Sequence, residues 1–275
     1  MPELPEVEIV TRRLKLLLTG STIIKVRLLG HRLAPEHSPR QFSSSIRGAR
    51  VEDIKRRGKY ILIHLSNSRT ILAHLRMTGR FIYLDDETPE TPHTRAIFWL
   101  AGGKKLLFDD VRQFGVMAVV RTAELDSLKY LSKLAPEPFS EDFTSAYLYG
   151  ILKRSSQPIK LALLNQEKIA GLGNIYASEA LHRAGIDPRL PANKLSKARA
   201  ASLHAEIRAV LADAIANDGV FDIKTGDLDA SYGRYEAVAR VYEREGLPCL
   251  TCGTLIRRIT QGARSTYYCT KCQRR

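Results

Sequence analysis

A chain of 275 residues, 44% hydrophobic, is long enough for two ordinary cores plus a small module and too apolar to stay disordered. No apolar run approaches the ~20 residues of a membrane helix, and the acidic start MPELPEVEIV is unlike a secretion signal, so a cytosolic protein is expected. Lys and Arg number 43 against 29 Asp and Glu, a formal charge of +14, which favours nucleic acid as partner; no basic amphipathic helix with an aromatic face is evident to serve an acidic membrane instead.

The segment PELPEVEIVTRRLKLLLTG reads as one helix, with Val7, Val10, Leu14, Leu17 and Leu18 at helical spacing and Gly20 as its stop. From about Ser21 to Arg121 the pattern changes to short β-rich runs separated by Gly, Pro, Asn and Asp turns: TIIKVRLL, YILIHL, TILAHLRM, AIFWL, KLLFDD and GVMAVV. They predict a two-layer β structure with the first helix packed on it, over residues 1–134. APEPFSEDF, with two prolines and no periodicity, marks a linker at 135–143. The chain then turns helical through AYLYGILKR, PIKLALLN, IYASEALHRAG and SKARAASLHAEIRAVLADAIAND, giving a helical domain at 144–237 that ends in the polar, Gly-rich loop DGVFDIKTGDLDASYGRY. Residues 238–275 form a cysteine module, and no internal repeat is found.

All four cysteines lie in that module as Cys249, Cys252, Cys269 and Cys272, a C-x2-C-x16-C-x2-C spacing suited to tetrahedral thiolate coordination of one structural zinc. Two disulfides or an iron–sulfur cluster are the alternatives, the first disfavoured in a cytosolic chain. TLIRRIT and STYYCT, joined by QGAR, should form a hairpin offering Arg257, Arg258 and Arg264 to phosphate or a groove.

Elsewhere the chemistry is less specific. Removal of Met1 would expose Pro2 as a secondary amine with an ordinary pKa near ~8, able to attack a sugar carbon and form an iminium. Proline and acids in a first helical turn are also ordinary helix-start signals, and Glu3 and Glu6 fit that reading equally. RRGKY is a basic turn that could put Lys59 on a phosphate. AHLRMTGR holds His74 and Met77, the latter either core filler or a wedge into a base stack. DDVRQFG puts Arg112 and Phe114 on one side of a turn, and GLGNIYASEAL offers backbone N–H groups and Asn174 at a helix start.

Taken in order, MPELPEVE, RRGKY, LRMTGR, DxRxFG, GLGNIYASE and the terminal cysteine module closely resemble the bacterial formamidopyrimidine-DNA glycosylase family over essentially the whole chain. The resemblance implies an α+β multidomain fold: an N-terminal helix plus two-layer β-sandwich, a helical helix-two-turns-helix domain and a C-terminal zinc finger, with DNA between the halves. It implies a monomeric base-excision enzyme of the bacterial cytoplasm, associated with the nucleoid, that removes oxidised purines from double-stranded DNA and cleaves the strand by β,δ-elimination. In that scheme Pro2 is the Schiff-base nucleophile, Glu3 the general acid and base, Lys59 serves β-elimination and Arg264 δ-elimination. Met77, Arg112 and Phe114 fill the gap left by the extruded nucleotide, while His74, His93, Lys153 (or Arg154), Lys160 and Asn174 meet the DNA. The endonuclease VIII type, active on oxidised pyrimidines, usually starts PEGPE; Leu4 with Arg112 and Phe114 favours the purine enzyme. A non-catalytic lesion binder on the same scaffold is opposed by the intact Pro2, Glu3 and Lys59. Departures from the family pattern are His93-Thr94-Arg95, Asn165, Ala263 before Arg264, and residues 227–232, whose DLDASY should leave base preference altered.

Overall fold

The computed structural model describes residues 2–30, 32–217 and 239–275, and these divide into two compact units, 2–132 and 133–217 with 239–275. The loop at 227–232 lies outside the described residues.

In the first unit, helix α1 (Leu4–Leu18) buries Leu4, Val7, Val10, Leu14 and Leu18, one stripe at i+3/i+4 spacing. It ends at Thr19, and Gly20 follows with φ +87°, a left-handed conformation that glycine adopts without Cβ strain. Two antiparallel four-stranded sheets follow. Strands β1 (Ile23–Leu28), β6 (Thr94–Leu100), β7 (Lys104–Asp110) and β5 (Gly79–Asp85) form one, in that spatial order. Strands β2 (Val51–Arg57), β3 (Tyr60–Leu65), β4 (Arg69–His74) and β8 (Val116–Arg121) form the other. Alternate residues from both meet in one core: Phe81, Phe98, Leu106 and Phe108 from the first, Ile54, Ile61, Ile63, Ile71 and Val119 from the second, with the apolar stripe of α1.

Three elements in this unit escape sequence patterning. Helix α2 (Pro39–Ile46) buries only Phe42 and Ile46, and its start is written in polar code. Ser38 Oγ accepts the Gln41 N–H at 3.2 Å and the Gln41 amide oxygen accepts the Ser38 N–H at 3.0 Å, a capping box with Pro39 next to it. Strand β2 buries only Val51 and Ile54, and an irregularity between Val51 and Asp53 breaks its alternation. Strand β5 is revealed by its pairing with β7, Gly79 opposite Asp110.

The second unit packs α3 (Ser145–Lys153), α4 (Ile159–Leu163), α5 (Asn174–Arg183) and α6 (Lys197–Ala216) around Leu148, Leu163, Tyr176, Leu181, Leu203 and Ile207. Between α4 and α5 the chain makes the two turns of a helix-two-turns-helix motif. The Gln166 amide fastens them: its Nε2 donates to Leu164 O (3.1 Å) and Leu172 O (2.8 Å) while Oε1 accepts the Gly171 N–H (2.8 Å). Strands β9 (Arg257–Gln261) and β10 (Arg264–Tyr268) form the finger hairpin. The finger is fixed to the helices within this unit: the Gln273 amide donates to Ile186 O and the Arg199 guanidinium to Arg274 O.

Candidate active site and nucleic-acid interface

Pro2 and Glu3 are buried at the N-terminal end of α1. Both were expected within the helix; instead Glu3 is its N-cap, extended at φ −108°, and its N–H donates to the Glu6 carboxylate at 2.8 Å. The positive end of the helix dipole favours a carboxylate there. Lys59 follows Gly58 (φ +60°) in the β2–β3 turn and is buried, 8% exposed. Arg56 ties this turn to α1: Nη1 donates to Gly58 O at 3.1 Å and Nε to Glu8 at 2.7 Å. Burial alone would raise the Glu8 carboxyl, but its hydrogen bonds from Arg56 and Arg12 prevail and hold it below the ordinary range.

His74, at the end of β4, is buried edge-on against the Tyr60 ring, 4.7 Å between centroids. Burial first, then the charges of Arg76 and Lys59, push its pKa down to about 3. The ring is therefore neutral at physiological pH. Its Nδ1 accepts the Arg76 N–H at 2.9 Å, where Arg76 takes φ +54°, so the ring proton sits on Nε2 and remains a donor.

Met77 and Phe114 are 42% and 49% exposed, and Leu16, Ile24, Leu29 and Val111 in the same unit are exposed as well. The Arg112 guanidinium lies 4.8 Å from the Phe114 ring, so the i, i+2 pair does project together. His93 is exposed, its N–H on Thr91 Oγ1 and its carbonyl accepting the Asp110 N–H at 2.9 Å. At the departures, Arg95 Nε donates to Asp110 O at 3.0 Å and Thr94 Oγ1 accepts the Thr91 N–H at 3.1 Å.

In the second unit, Lys153 is exposed and donates to Asn193 O at 2.8 Å, with Arg154 exposed beside it. Lys160 differs from expectation. It is 0% exposed, and its ammonium donates to Ser265 O (2.9 Å) and Thr266 Oγ1 (2.6 Å), so in this conformation it fastens α4 to β10 and cannot meet a phosphate. Asn174, the first residue of α5 after extended Gly173, donates to the same Ser265 carbonyl at 3.1 Å; its Oδ1 is buried without a partner among the described residues. Arg264 is exposed at the start of β10, next to this doubly held carbonyl. The turn before it places Gly262 and Ala263 at φ +54° and +58°, the two left-handed residues of a tight hairpin turn. At Asn165, another departure, Oδ1 accepts the Glu167 N–H at 2.8 Å, an acceptor that Asp would equally supply.

The four cysteine sulfurs lie within 4.8 Å of one another, with Cys249–Cys272 at 3.8 Å and Cys252–Cys269 at 3.4 Å. A tetrahedron of ~2.3 Å metal–sulfur bonds has edges of about 3.8 Å, so the set fits one zinc ion and no disulfide. Burial raises the Cys269 and Cys272 thiols and the neighbouring sulfurs add to it, whereas hydrogen bonds with Thr254 lower Cys252 to about 6. Four thiolates this close require a cation between them. His182 Nε2, on α5, stands 3.5 Å from Cys249 Sγ.

Several structural supports were not singled out from sequence. The fully buried Glu179 carboxylate accepts the N–H groups of Arg240 (2.9 Å), Val241 (2.9 Å) and Tyr242 (2.8 Å), anchoring the segment that enters the finger. Glu179 and Asp110 both stand inside quoted motifs, but nothing local marks a carboxylate as buried when its donors lie on other segments. Gln166 in LLNQEK carried no signal beyond its place in a turn.

Three family models match: the formamidopyrimidine-DNA glycosylase N-terminal domain over 1–117, its H2TH domain over 134–224 and a zinc finger found in FPG and IleRS over 246–275. The cysteine site is accordingly that of one structural zinc. The formamidopyrimidine-DNA glycosylase of Desulforamulus reducens is 42% identical over 275 residues, 100% of this chain and 99% of that protein. Lactococcus lactis Fpg in complex with an abasic site containing DNA superposes with a TM-score of 0.92 at 32% identity, over 99% of this chain and 100% of that one. Its complex with a FAPY-dG containing DNA gives 0.91 at 32%, with the same coverage. Full-length similarity at this level, carried through the helix, both sheets, the helical motif and the finger, shows that the chain belongs to the formamidopyrimidine-DNA glycosylase family.

Proposed function

We propose that this protein is a bifunctional DNA glycosylase and AP lyase of base excision repair, acting on oxidised purines (formamidopyrimidines and 8-oxoguanine) in double-stranded DNA. The observation that carries the reading is Pro2 immediately before Glu3, both buried at the dipole-positive end of α1, in a chain similar throughout to glycosylases whose Lactococcus lactis member has been seen on abasic and FAPY-dG DNA.

Once Met1 is removed, the Pro2 nitrogen is a secondary amine, partly unprotonated at neutral pH. Its lone pair attacks the deoxyribose C1′ while the bond from C1′ to the damaged base breaks and the departing base takes a proton. Opening of the C1′–O4′ bond, with a proton delivered to O4′, leaves an iminium between protein and sugar. Glu3 is the group beside the reacting carbon that gives and takes these protons. Loss of a C2′ proton then expels the 3′ phosphate, and a second elimination expels the 5′ phosphate. Lys59 serves the first elimination and holds a phosphate. Arg264 clamps the phosphate of the second, since a guanidinium stabilises charge but does not readily yield a proton. Met77, Arg112 and Phe114 occupy the gap in the duplex, and His74, His93, Lys153 and Asn174 meet the DNA. The zinc shapes the finger and takes no part in bond making. The protein acts as a monomer in the bacterial cytoplasm, with the nucleoid.

Borohydride added during cleavage should reduce the iminium to a stable amine and cross-link the DNA to the N-terminal peptide. Glu3→Gln should abolish base excision while still allowing abasic-site cutting. A cross-link mapped to Lys59, or full trapping by protein with a blocked N-terminus, overturns the mechanism; Lys59, with an ordinary pKa of ~10.4, would need strong desolvation to compete.

A further inference from the structure

We infer that Asp110 is a positioning residue for nucleotide extrusion: its buried carboxylate clamps together the two turns that carry Met77 and the Arg112–Phe114 pair. The inference rests on the reading of those three side chains as gap fillers.

Asp110 closes strand β7 and is 1% exposed. One carboxylate oxygen accepts the Gly115 N–H at 2.7 Å, immediately after Phe114. The other accepts the Thr78 hydroxyl, immediately after Met77. The Thr78 oxygen in turn accepts the Arg112 N–H at 3.1 Å. A relay of three hydrogen bonds therefore links the β4–β5 turn to the β7–β8 turn through the side chains of Asp110 and Thr78.

Both turns need such a clamp. Each contains a non-glycine residue in the left-handed region, Arg76 at φ +54° and Gln113 at φ +55°, a strained conformation that persists only where its surroundings impose it. Each abuts a glycine with no room for a side chain: a Cβ on Gly79 would lie 2.5 Å from Leu75 O, and one on Gly115 would lie 2.7 Å from the Phe108 ring. The backbone is thus pressed onto the core on both sides of the carboxylate, while Met77, Arg112 and Phe114 face outward. The main chain of Asp110 extends the same unit, its N–H on His93 O and its carbonyl on Arg95. An exposed Met and an exposed Arg–Phe pair on separate turns fill one gap only if their separation is fixed, and a buried charge-assisted network fixes it better than turn propensity alone.

The test is a comparison of two single-turnover rates, excision from a lesion duplex and cutting of a pre-formed abasic site, in Asp110→Ala, Thr78→Val and Arg112→Ala. An abasic nucleotide has little stacking to lose, so its cutting depends far less on gap filling. Asp110→Ala and Thr78→Val should lower lesion excision roughly ten- to a hundredfold more than abasic cutting, the range expected for misplaced contacts. Asp110→Asn, which keeps one acceptor for Gly115, should recover part of the loss. In the double variant Asp110→Ala/Arg112→Ala the ratio of the two rates should be no worse than in Arg112→Ala alone, because both act on one feature. Thr78→Val keeps the carboxylate and its Gly115 bond, so it reports even if Asp110→Ala folds poorly. If Arg112→Ala shifts the ratio but Thr78→Val and Asp110→Ala lower both rates equally, Asp110 is only a fold element and the inference fails. If Arg112→Ala itself leaves the ratio unchanged, the gap-filling reading fails and takes this inference with it.

Discussion

Lys160→Met separates a structural lysine from a phosphate-binding one. The ammonium is fully buried and donates to Ser265 O and Thr266 Oγ1 at 2.9 and 2.6 Å. Methionine keeps the volume and removes the donors. Ser265 O retains its bond from Asn174, but Thr266, itself 0% exposed, loses the ammonium. A buried acceptor stripped of its donor costs about 1–3 kcal/mol, partly offset because the lysine no longer has to be desolvated. At about 2–4 °C per kcal/mol for a protein of this size, the melting temperature should fall by roughly 2–10 °C. DNA affinity should fall as well, because Arg264 precedes a carbonyl that loses one of its two donors. The decisive assay is the slope of log affinity against log salt, to which each lost phosphate contact contributes about 0.9. If Lys160 acts by holding β10, Lys160→Met/Arg264→Ala should show the slope change of Arg264→Ala alone. A double variant whose slope falls by two contacts, with each single variant losing one, would show Lys160 on a phosphate and refute the reasoning.

Cys269→Ser should release the zinc, measured with a chromophoric chelator, and weaken lesion-DNA binding while unit 2–132 keeps its unfolding transition; undiminished binding by metal-free protein would separate the finger from DNA. His182→Leu removes the ring nitrogen beside Cys249 and should speed zinc loss to a chelator about tenfold, as expected for an outer partner of a metal ligand. His74 titrates near 6.5 when unfolded and near 3 when folded, so between those values the unfolded chain binds the extra proton. Its contribution is complete above pH 6.5 and lost as pH falls toward 3, about 2–3 kcal/mol by pH 4.5; His74→Asn, which keeps an acceptor for Arg76 but does not titrate, should flatten that part of the stability curve. Ala263→Gly should stabilise the finger hairpin by up to about 1 kcal/mol, read as a raised melting temperature of the zinc-loaded protein, because φ +58° strains alanine and not glycine.

Local pattern alone determined a good deal of this protein. The period of Val7, Val10, Leu14 and Leu18 can only be satisfied by a helix with one buried face, and α1 is that helix. The two C-x2-C knuckles determined the metal site, since each pair chelates on its own and only their meeting is tertiary. Strands such as Tyr60–Leu65, whose residues 61, 63 and 65 enter the core, were legible for the same reason. Helix α2 and strand β2 were not, because each buries two apolar residues and owes its existence to capping or to strand pairing. The site divides in the same way. The motifs pointed to Arg112, Phe114 and Asn174 because exposed or glycine-flanked residue types stand out along the chain. Whether a charge faces outward or inward is decided by partners far away in sequence. Lys153 and Lys160 look alike as letters, yet one is exposed on Asn193 O and the other buried on a strand 105 residues later. Glu179, Asp110 and Arg56 are ordinary charged residues until the fold brings them the N–H groups, hydroxyl and carboxylate that each one holds. Burying a charge is unfavourable unless its donors or acceptors arrive with it, and only the tertiary structure brings them there.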